Sequence, residues 1–176
     1  MKSPPVLTDQ QRQFVDNFAQ TWNQASSSTM DGRVLGYLLI MDADYISSAD
    51  LGRVLSASPG SISVSTRRLL NNAMIKRHWI PGDRNHYFAA EDDPWGNYLA
   101  HGFEPSAKLR DATRLAHQLV PDLTTASKAR IENATDYFIW IETRKDSLAE
   151  EWEEYKKSRS SKTVSEQADM GPQRSA

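Results

Sequence analysis

The side chains with chemistry to offer are cations gathered in one stretch. Between Ser47 and Ala90 stand Arg53, Arg67, Arg68, Lys76, Arg77 and Arg84, opposed there by Asp50 and Asp83. The flanks run the other way. Asp9, Asp16, Asp31, Asp42 and Asp44 outweigh Lys2, Arg12 and Arg33 before it, and Glu150, Glu151, Glu153 and Glu154 crowd the far end. The whole chain of 176 residues carries a formal charge of −2. A basic middle inside an acidic protein suits a module that neutralises phosphates. Charge also fluctuates over any stretch of this length without function, so the assignment depends on what positions these cations.

Other chemistries find no foothold. His78, His86, His101 and His117 are scattered without metal-ligand spacing, and cysteine is absent. That removes disulfides and thiolate metal sites and suits a reducing compartment. A glycine-rich phosphate loop, a nucleophile elbow and a convergent carboxylate pair are all missing. The chain is therefore read as no enzyme, with no metal and no cofactor. The apolar run Val34 to Met41 falls far short of the ~20 residues of a membrane span. The Met-Lys-Ser-Pro-Pro opening carries no apolar signal core, so the expected setting is the cytoplasm, away from any membrane.

The elements that hold the cations follow from period and capping. Thr8 and Gln11 are placed as a capping box before a helix from Asp9 to Trp22, with Phe14, Phe18 and Trp22 on one stripe. Met30 to Met41 is a second, more apolar helix with Met30, Val34, Leu38 and Met41 aligned and Leu35, Leu39 and Ile40 widening the face. Ser47 opens a short helix, with Asp50 as capping acid and Leu51, Val54 and Leu55 inward, that ends at Ser56-Ala57. Ser58 caps the next helix and Pro59 takes its first position, where a missing N–H costs little. Ile62, Thr66, Leu69 and Leu70 then face inward, and the pair makes a helix-turn-helix. Met74 to Ile80 and Asn85 to Ala90 read as strands about a Pro81-Gly82-Asp83-Arg84 turn. A hairpin directly after a helix-turn-helix is a wing; the alternative is a plain turn in which Asp83 and Arg84 pair with each other.

These residues carry a family likeness. Gly32 to Leu39, Ser47-Ser48-Ala49-Asp50-Leu51, Gly60-Ser61-Ile62-Ser63 and Pro81-Gly82-Asp83-Arg84 with Tyr87 resemble the MarR superfamily of winged-helix regulators, and in particular its GbsR-type branch, found as repressors in actinobacteria. The likeness spans about Phe14 to Ala90. It implies a homodimer on a pseudo-palindromic operator in double-stranded DNA, often released by a small ligand. One departure stands out: the glycine that usually ends the first motif helix is Ser56 here.

Docking geometry assigns the roles. The inward set leaves Ser61, Ser63, Val64, Arg67 and Arg68 facing outward, and the second motif helix is the one that enters a major groove. Ser61 and Ser63 can bond bases or phosphates, Val64 can touch a thymine methyl, and Arg67 is placed for bidentate readout of guanine. For Arg67 and Arg68 phosphate contact or plain solvation stays open. Ser47 and Ser48 stand where a helix N-terminus can accept a phosphate, although capping alone accounts for them. Ser58 joins the set at the head of the second helix. Arg84, with Asn85 and His86 beside it, is placed to meet a minor groove or a phosphate. Arg33, on an apolar helix, is read as a structural bridge to an acid such as Asp44 or to a loop carbonyl.

The remainder is helical. Pro94 to Phe103 starts a helix, Pro105 interrupts it, and Leu109, Ala112, Ala116 and Leu119 resume a stripe. A last helix from about Thr124 to Arg159 carries Ile131, Ala134, Phe138, Ile141, Lys145, Leu148, Trp152 and Tyr155 at coiled-coil spacing. It is expected to meet a second copy together with the N-terminal helix, and disorder is expected from Ser160 on. Tyr137 to Ile141 is apolar all round, which fits either a packing hub or a cavity for a small apolar ligand walled by Phe18, Trp22, Tyr98, Phe103, Phe138 and Trp140. The expected architecture is mainly α with a small β-hairpin wing: an N-terminal helix in 1–29, a winged helix-turn-helix in 30–91, a helical dimerisation region in 92–159 and a tail in 160–176. The expected function is a sequence-specific DNA-binding regulator, a homodimeric repressor released by a small apolar ligand. The rival is a winged-helix protein-interaction or architectural DNA-binding module without a ligand.

Overall fold

The computed structural model describes residues 6–26 and 28–169. They fall into two compact units divided between Tyr98 and Leu99. In the first unit the order is α1 (Asp9–Ser26), α2 (Thr29–Ile40), β1 (Ile46–Ser47), α3 (Ser48–Val54), α4 (Pro59–Asn71), β2 (Ile75–His78) and β3 (Tyr87–Ala90); α5 (Pro94–His101) runs across the division.

The capping box of α1 forms as read: the Gln11 N–H donates to Thr8 Oγ1 at 3.2 Å and the Thr8 N–H to Gln11 Oε1 at 3.0 Å. Phe14, Phe18 and Trp22 follow one another with ring centroids 5.9 Å apart at each step. Helices α1 and α2 pack so closely at Gly32 that a Cβ there would stand 2.7 Å from Ala19 Cα and 2.8 Å from Trp22 Cβ. Glycine at this position is thus a packing requirement. Phe18 and Trp22 pack against α2, on the core built around Val34, Leu35 and Leu38. Arg33 makes its bridge to Asp16 of α1, at 3.3 Å, and not to Asp44; an acid one helix away was invisible to local spacing.

Helices α3 and α4 close over the same core through Leu51, Leu55, Ile62 and Leu69, all at 1% exposure or less. The inward face of α4 is Ile62, Ser65, Thr66 and Leu69, with Leu70 only half-buried. Ser65 is the addition to the expected set. Each helix ends with its penultimate carbonyls satisfied by the following turn: Ser56 and Ala57 N–H donate to Arg53 and Gly52 C=O, and Ala73 and Met74 N–H to Leu70 and Leu69 C=O. This Schellman pattern needs a left-handed residue just past the helix. Ser56 (φ 50) and Ala73 (φ 52) supply it.

The sheet is three-stranded and antiparallel in the order β1-β3-β2. Ile46 and Ser47 pair with Phe88 and Tyr87, and Ile75 to His78 pair with Ala90 to Tyr87. The strands are shorter than the reading of Met74–Ile80 and Asn85–Ala90. Asp83 draws Asn85 into the turn by accepting its N–H at 2.8 Å, and Asp83's own N–H donates to the Ile80 C=O at 3.1 Å.

In the second unit α6 (Pro105–Leu119) and α7 (Thr125–Asp169) lie antiparallel. Arg110 pairs with Glu142, and Thr135 Oγ1 donates to Thr113 Oγ1 at 2.8 Å. Helix α7 runs to Asp169, beyond the end at Arg159, so the disorder expected from Ser160 does not hold as far as that residue; 170–176 lie outside the described residues. The stripe expected to meet a second copy is largely covered within the chain. Ile141 is buried; Ile131, Ala134, Phe138, Lys145, Leu148 and Trp152 are half-buried, and Tyr155 is exposed.

Candidate nucleic-acid interface

Helix α4 presents the residues its pattern promised. Ser58 caps it, accepting the Ser61 N–H at 3.2 Å, with its Oγ 2.9 Å from Ser61 Oγ. Past that cap Ser61, Ser63, Val64 and Arg67 are all exposed, Val64 at 46%. Arg67 has no carboxylate within ion-pairing distance among the described residues, so its guanidinium is free for an incoming acceptor.

Arg68 is different. Its Nε and one terminal nitrogen grip both oxygens of Asp31 at 2.7 Å, and that nitrogen also reaches Ser28 Oγ at 2.8 Å. Asp31 is buried at 5% exposure in the first turn of α2, where a carboxylate suits the helix dipole. The pairing raises the Arg68 guanidinium further above its already high value. Arg68 therefore ties α4 to α2, a use the phosphate-contact reading did not foresee.

Ser47 is committed to capping. Its Oγ accepts the Asp50 N–H at 3.0 Å and donates to Asp50 Oδ2 at 2.7 Å. The Asp50 carboxyl lies below the ordinary carboxylate value, first because of that hydroxyl and then because Arg53 also bonds it. The Ser48 N–H donates to the His86 C=O at 2.8 Å, which pins the base of the wing to the head of α3. The wing tip is braced in turn. Gly82 takes φ +81, and Asp83 accepts the Tyr87 hydroxyl at 2.7 Å as well as the Asn85 N–H. Those donors, Tyr87 foremost, hold the Asp83 carboxyl below its ordinary value. The brace thus persists through the usual carboxylate range and is lost as pH falls through that lowered value. Asp83 does not pair with Arg84, so Arg84, Asn85 and His86 stand exposed.

The two halves border one groove of about 600 Å³, lined by Gly52, Arg53 and Ser56 of the α3 segment, Pro59 at the head of α4, and Arg84 and His86 of the wing. Arg53, which the sequence marks only as charge, belongs here: its place on the outer face of α3 was readable, its position opposite the wing was not. A second pocket of about 390 Å³ is lined by Leu38, Met41, Asp44 and Glu91 to Trp95. None of the six expected ligand-wall residues lines either pocket. Phe18 and Trp22 are stacked against α2, Tyr98 packs on the core of the first unit, and Trp140 is 55% exposed. Among the described residues no cluster of three or more His, Cys, Asp or Glu is placed to hold a metal ion, and no helix is long and apolar enough to cross a membrane.

No family model matches the chain. It is similar to the HTH-type transcriptional regulator MmpR5 of Mycobacterium tuberculosis, 27% identical over 130 residues, covering 74% of this chain and 79% of that protein. A crystal structure described as a transcriptional regulator superposes with a TM-score of 0.72 at 24% identity, covering 82% of this chain and 99% of that one. The apo form of wild-type MarR from E. coli aligns at 16% identity with a TM-score of 0.38, over 76% of this chain and 97% of that one. The GbsR-type assignment rests on the sequence resemblance alone. With a capped helix-turn-helix and a braced wing behind it, the chain has a winged-helix fold, shared with the solved transcriptional regulator it superposes on, and its sequence is similar to that of an HTH-type transcriptional regulator.

Proposed function

We propose that the protein is a sequence-specific DNA-binding transcriptional regulator, acting as a homodimeric repressor on a palindromic operator and released from it by a small apolar ligand. The observation that carries the DNA-binding part is the pairing of two unengaged cations, Arg67 on the outer face of α4 and Arg84 in the wing, with the head of α4 and the wing bordering one groove. The relative MmpR5 is an HTH-type transcriptional regulator by name, which supports the same reading and not an enzymatic one. The homodimer is supported by an apolar stripe on α6 that the chain leaves exposed, Leu109, Leu115 and Leu119 being 45–69% accessible. Release by an apolar ligand is what the family resemblance implies.

Selection of binding sites from a random duplex pool tests the assignment. The parent should select an inverted repeat, with Kd in the range of about 10⁻⁸–10⁻¹¹ M. Arg67→Ala should lose about 1–3 kcal/mol and relax preference at one position of each half-site. Arg84→Ala should weaken binding to all sequences and reduce the salt dependence. If Arg67→Ala selects the same site with the same affinity as the parent, α4 does not read bases, and a protein-interaction or architectural module becomes the better description.

A further inference from the structure

The hairpin holds one residue that this reading leaves unused. Trp79 follows β2 directly and is 77% exposed, the most exposed tryptophan among the described residues. An indole side chain offers roughly 150–250 Å² of surface for burial, and here nearly all of it faces solvent at a point where the backbone is held on both sides. Before it, the His78 ring stacks on Tyr45 with centroids 4.1 Å apart. After it, the turn from Ile80 to Tyr87 is fixed by the Asp83 bonds. The ring is thus presented from a rigid base, so little backbone freedom is lost when something covers it.

The charges around it select the occupant. On the same hairpin Lys76 is neutralised by Asp92 at 3.2 Å and Glu91 at 3.7 Å. Arg77, two residues before Trp79, is exposed and has no carboxylate within ion-pairing distance, and Arg84 across the turn is equally free. An exposed apolar ring flanked by two unengaged guanidinium groups fits a polyanion with an apolar interior. The groove shared by Arg84, His86 and Pro59 puts the wing beside the helix proposed to enter DNA.

We propose that Trp79 is a minor-groove wedge: with Arg77 and Arg84 on the flanking phosphates, its indole inserts at a base step beside the segment read by α4. The proposal rests on the DNA-binding function inferred above. Apolar side chains inserted this way partly unstack a step and bend the duplex, which brings more phosphate within reach of the cations. A flexible pyrimidine–purine step is the favoured place for it.

The experiment uses the full-length protein and the duplex that the parent selects from a random pool, with 2-aminopurine placed in turn at each flanking step. Parent binding should raise 2-aminopurine fluorescence at one step per half-site. Trp79→Ala, which removes a solvent-exposed ring and should melt like the parent, should abolish that rise and bind roughly tenfold or more weaker, with the base preferences read by α4 kept. Trp79→Phe should restore part of both signals. A Trp79→Ala protein that matches the parent in affinity and in 2-aminopurine response overturns the wedge while leaving the DNA-binding function standing. So does one that loses affinity only because it sediments as a monomer, which makes the ring a contact between protein copies. Failure of the parent to bind any duplex overturns both.

Discussion

Arg67 and Arg68 are adjacent, both exposed in part and both on the outer side of α4, yet they do different work. The helical period was enough to place them outside, because Ile62, Thr66 and Leu69 define the inside. It was not enough to separate them, because the partner that claims Arg68 lies 37 residues earlier, in the first turn of α2. The distinction has a measurable consequence. Arg68 is itself 50% exposed, so solvent screening limits the value of the ion pair; the larger effect is the Asp31 side chain, 8% exposed, left with its charge unpaired. Arg68→Ala should therefore destabilise the fold by about 1–3 kcal/mol. Asp31→Asn added to it should recover part of that loss, because the buried group is then neutral. Chemical denaturation of the two single variants and the double variant measures this coupling. Additive losses would show that the bridge is incidental.

The caps of the elements were the part of the fold most readable from sequence. Thr8 with Gln11, Ser47 with Asp50, and Ser58 before Pro59 are local signals, and each forms the bond its spacing promised. Strand β1 was not readable, since two residues cannot display a period and Ile46-Ser47 is extended only because β3 offers it an edge. The helix ends lie between these cases. Ser56 stands where a glycine is usual, and the structure shows what the missing glycine costs: the turn still takes φ 50, now with a side chain in the left-handed region. Ser56→Gly relieves that strain at the expense of a more flexible unfolded chain. The net effect should be a gain of roughly 0.5–1 kcal/mol. Thermal unfolding checks the sign, and an unchanged or lowered Tm would mean that Ser56 is held by contacts other than the turn geometry. DNA binding should be unaffected unless the Ser56 hydroxyl, on the wall of the groove, bonds a phosphate.

At the scale of the molecule, the two long elements of the second unit differ in what they leave to solvent. The contact between α6 and α7 is made in part by polar groups, Arg110 with Glu142 and Thr113 with Thr135. The leucines of α6 are left largely to solvent: Leu109, Leu115 and Leu119 are 48%, 45% and 69% exposed, and Val120 just past the helix is 47% exposed. Helix α7, at 45 residues, is about 67 Å long by the 1.5 Å rise per residue, against about 22 Å for the 15 residues of α6. A short helix that turns its leucines to solvent along a long scaffold needs another surface to cover them. The proposed homodimer supplies one, with α6 added to the N-terminal helix and the α7 stripe that the heptad spacing suggested. The α6 stripe read from the sequence, Leu109, Ala112, Ala116 and Leu119, omits Leu115, and local spacing could not say which side the chain covers. Leu109→Asp combined with Leu119→Asp should accordingly produce monomers in analytical ultracentrifugation, with the helix content of the parent retained. Affinity for an inverted repeat should fall by about 10²–10⁴, because the second half-site is then no longer engaged by a tethered partner. Affinity for an isolated half-site should stay the same. Phe138→Asp is the weaker probe, since Phe138 is half-buried in the single chain and its loss would disturb the fold as well. A Leu109→Asp, Leu119→Asp protein that still sediments as a dimer would place the partner surface elsewhere, and the exposed pair Tyr137 and Trp140 would then be the next face to change.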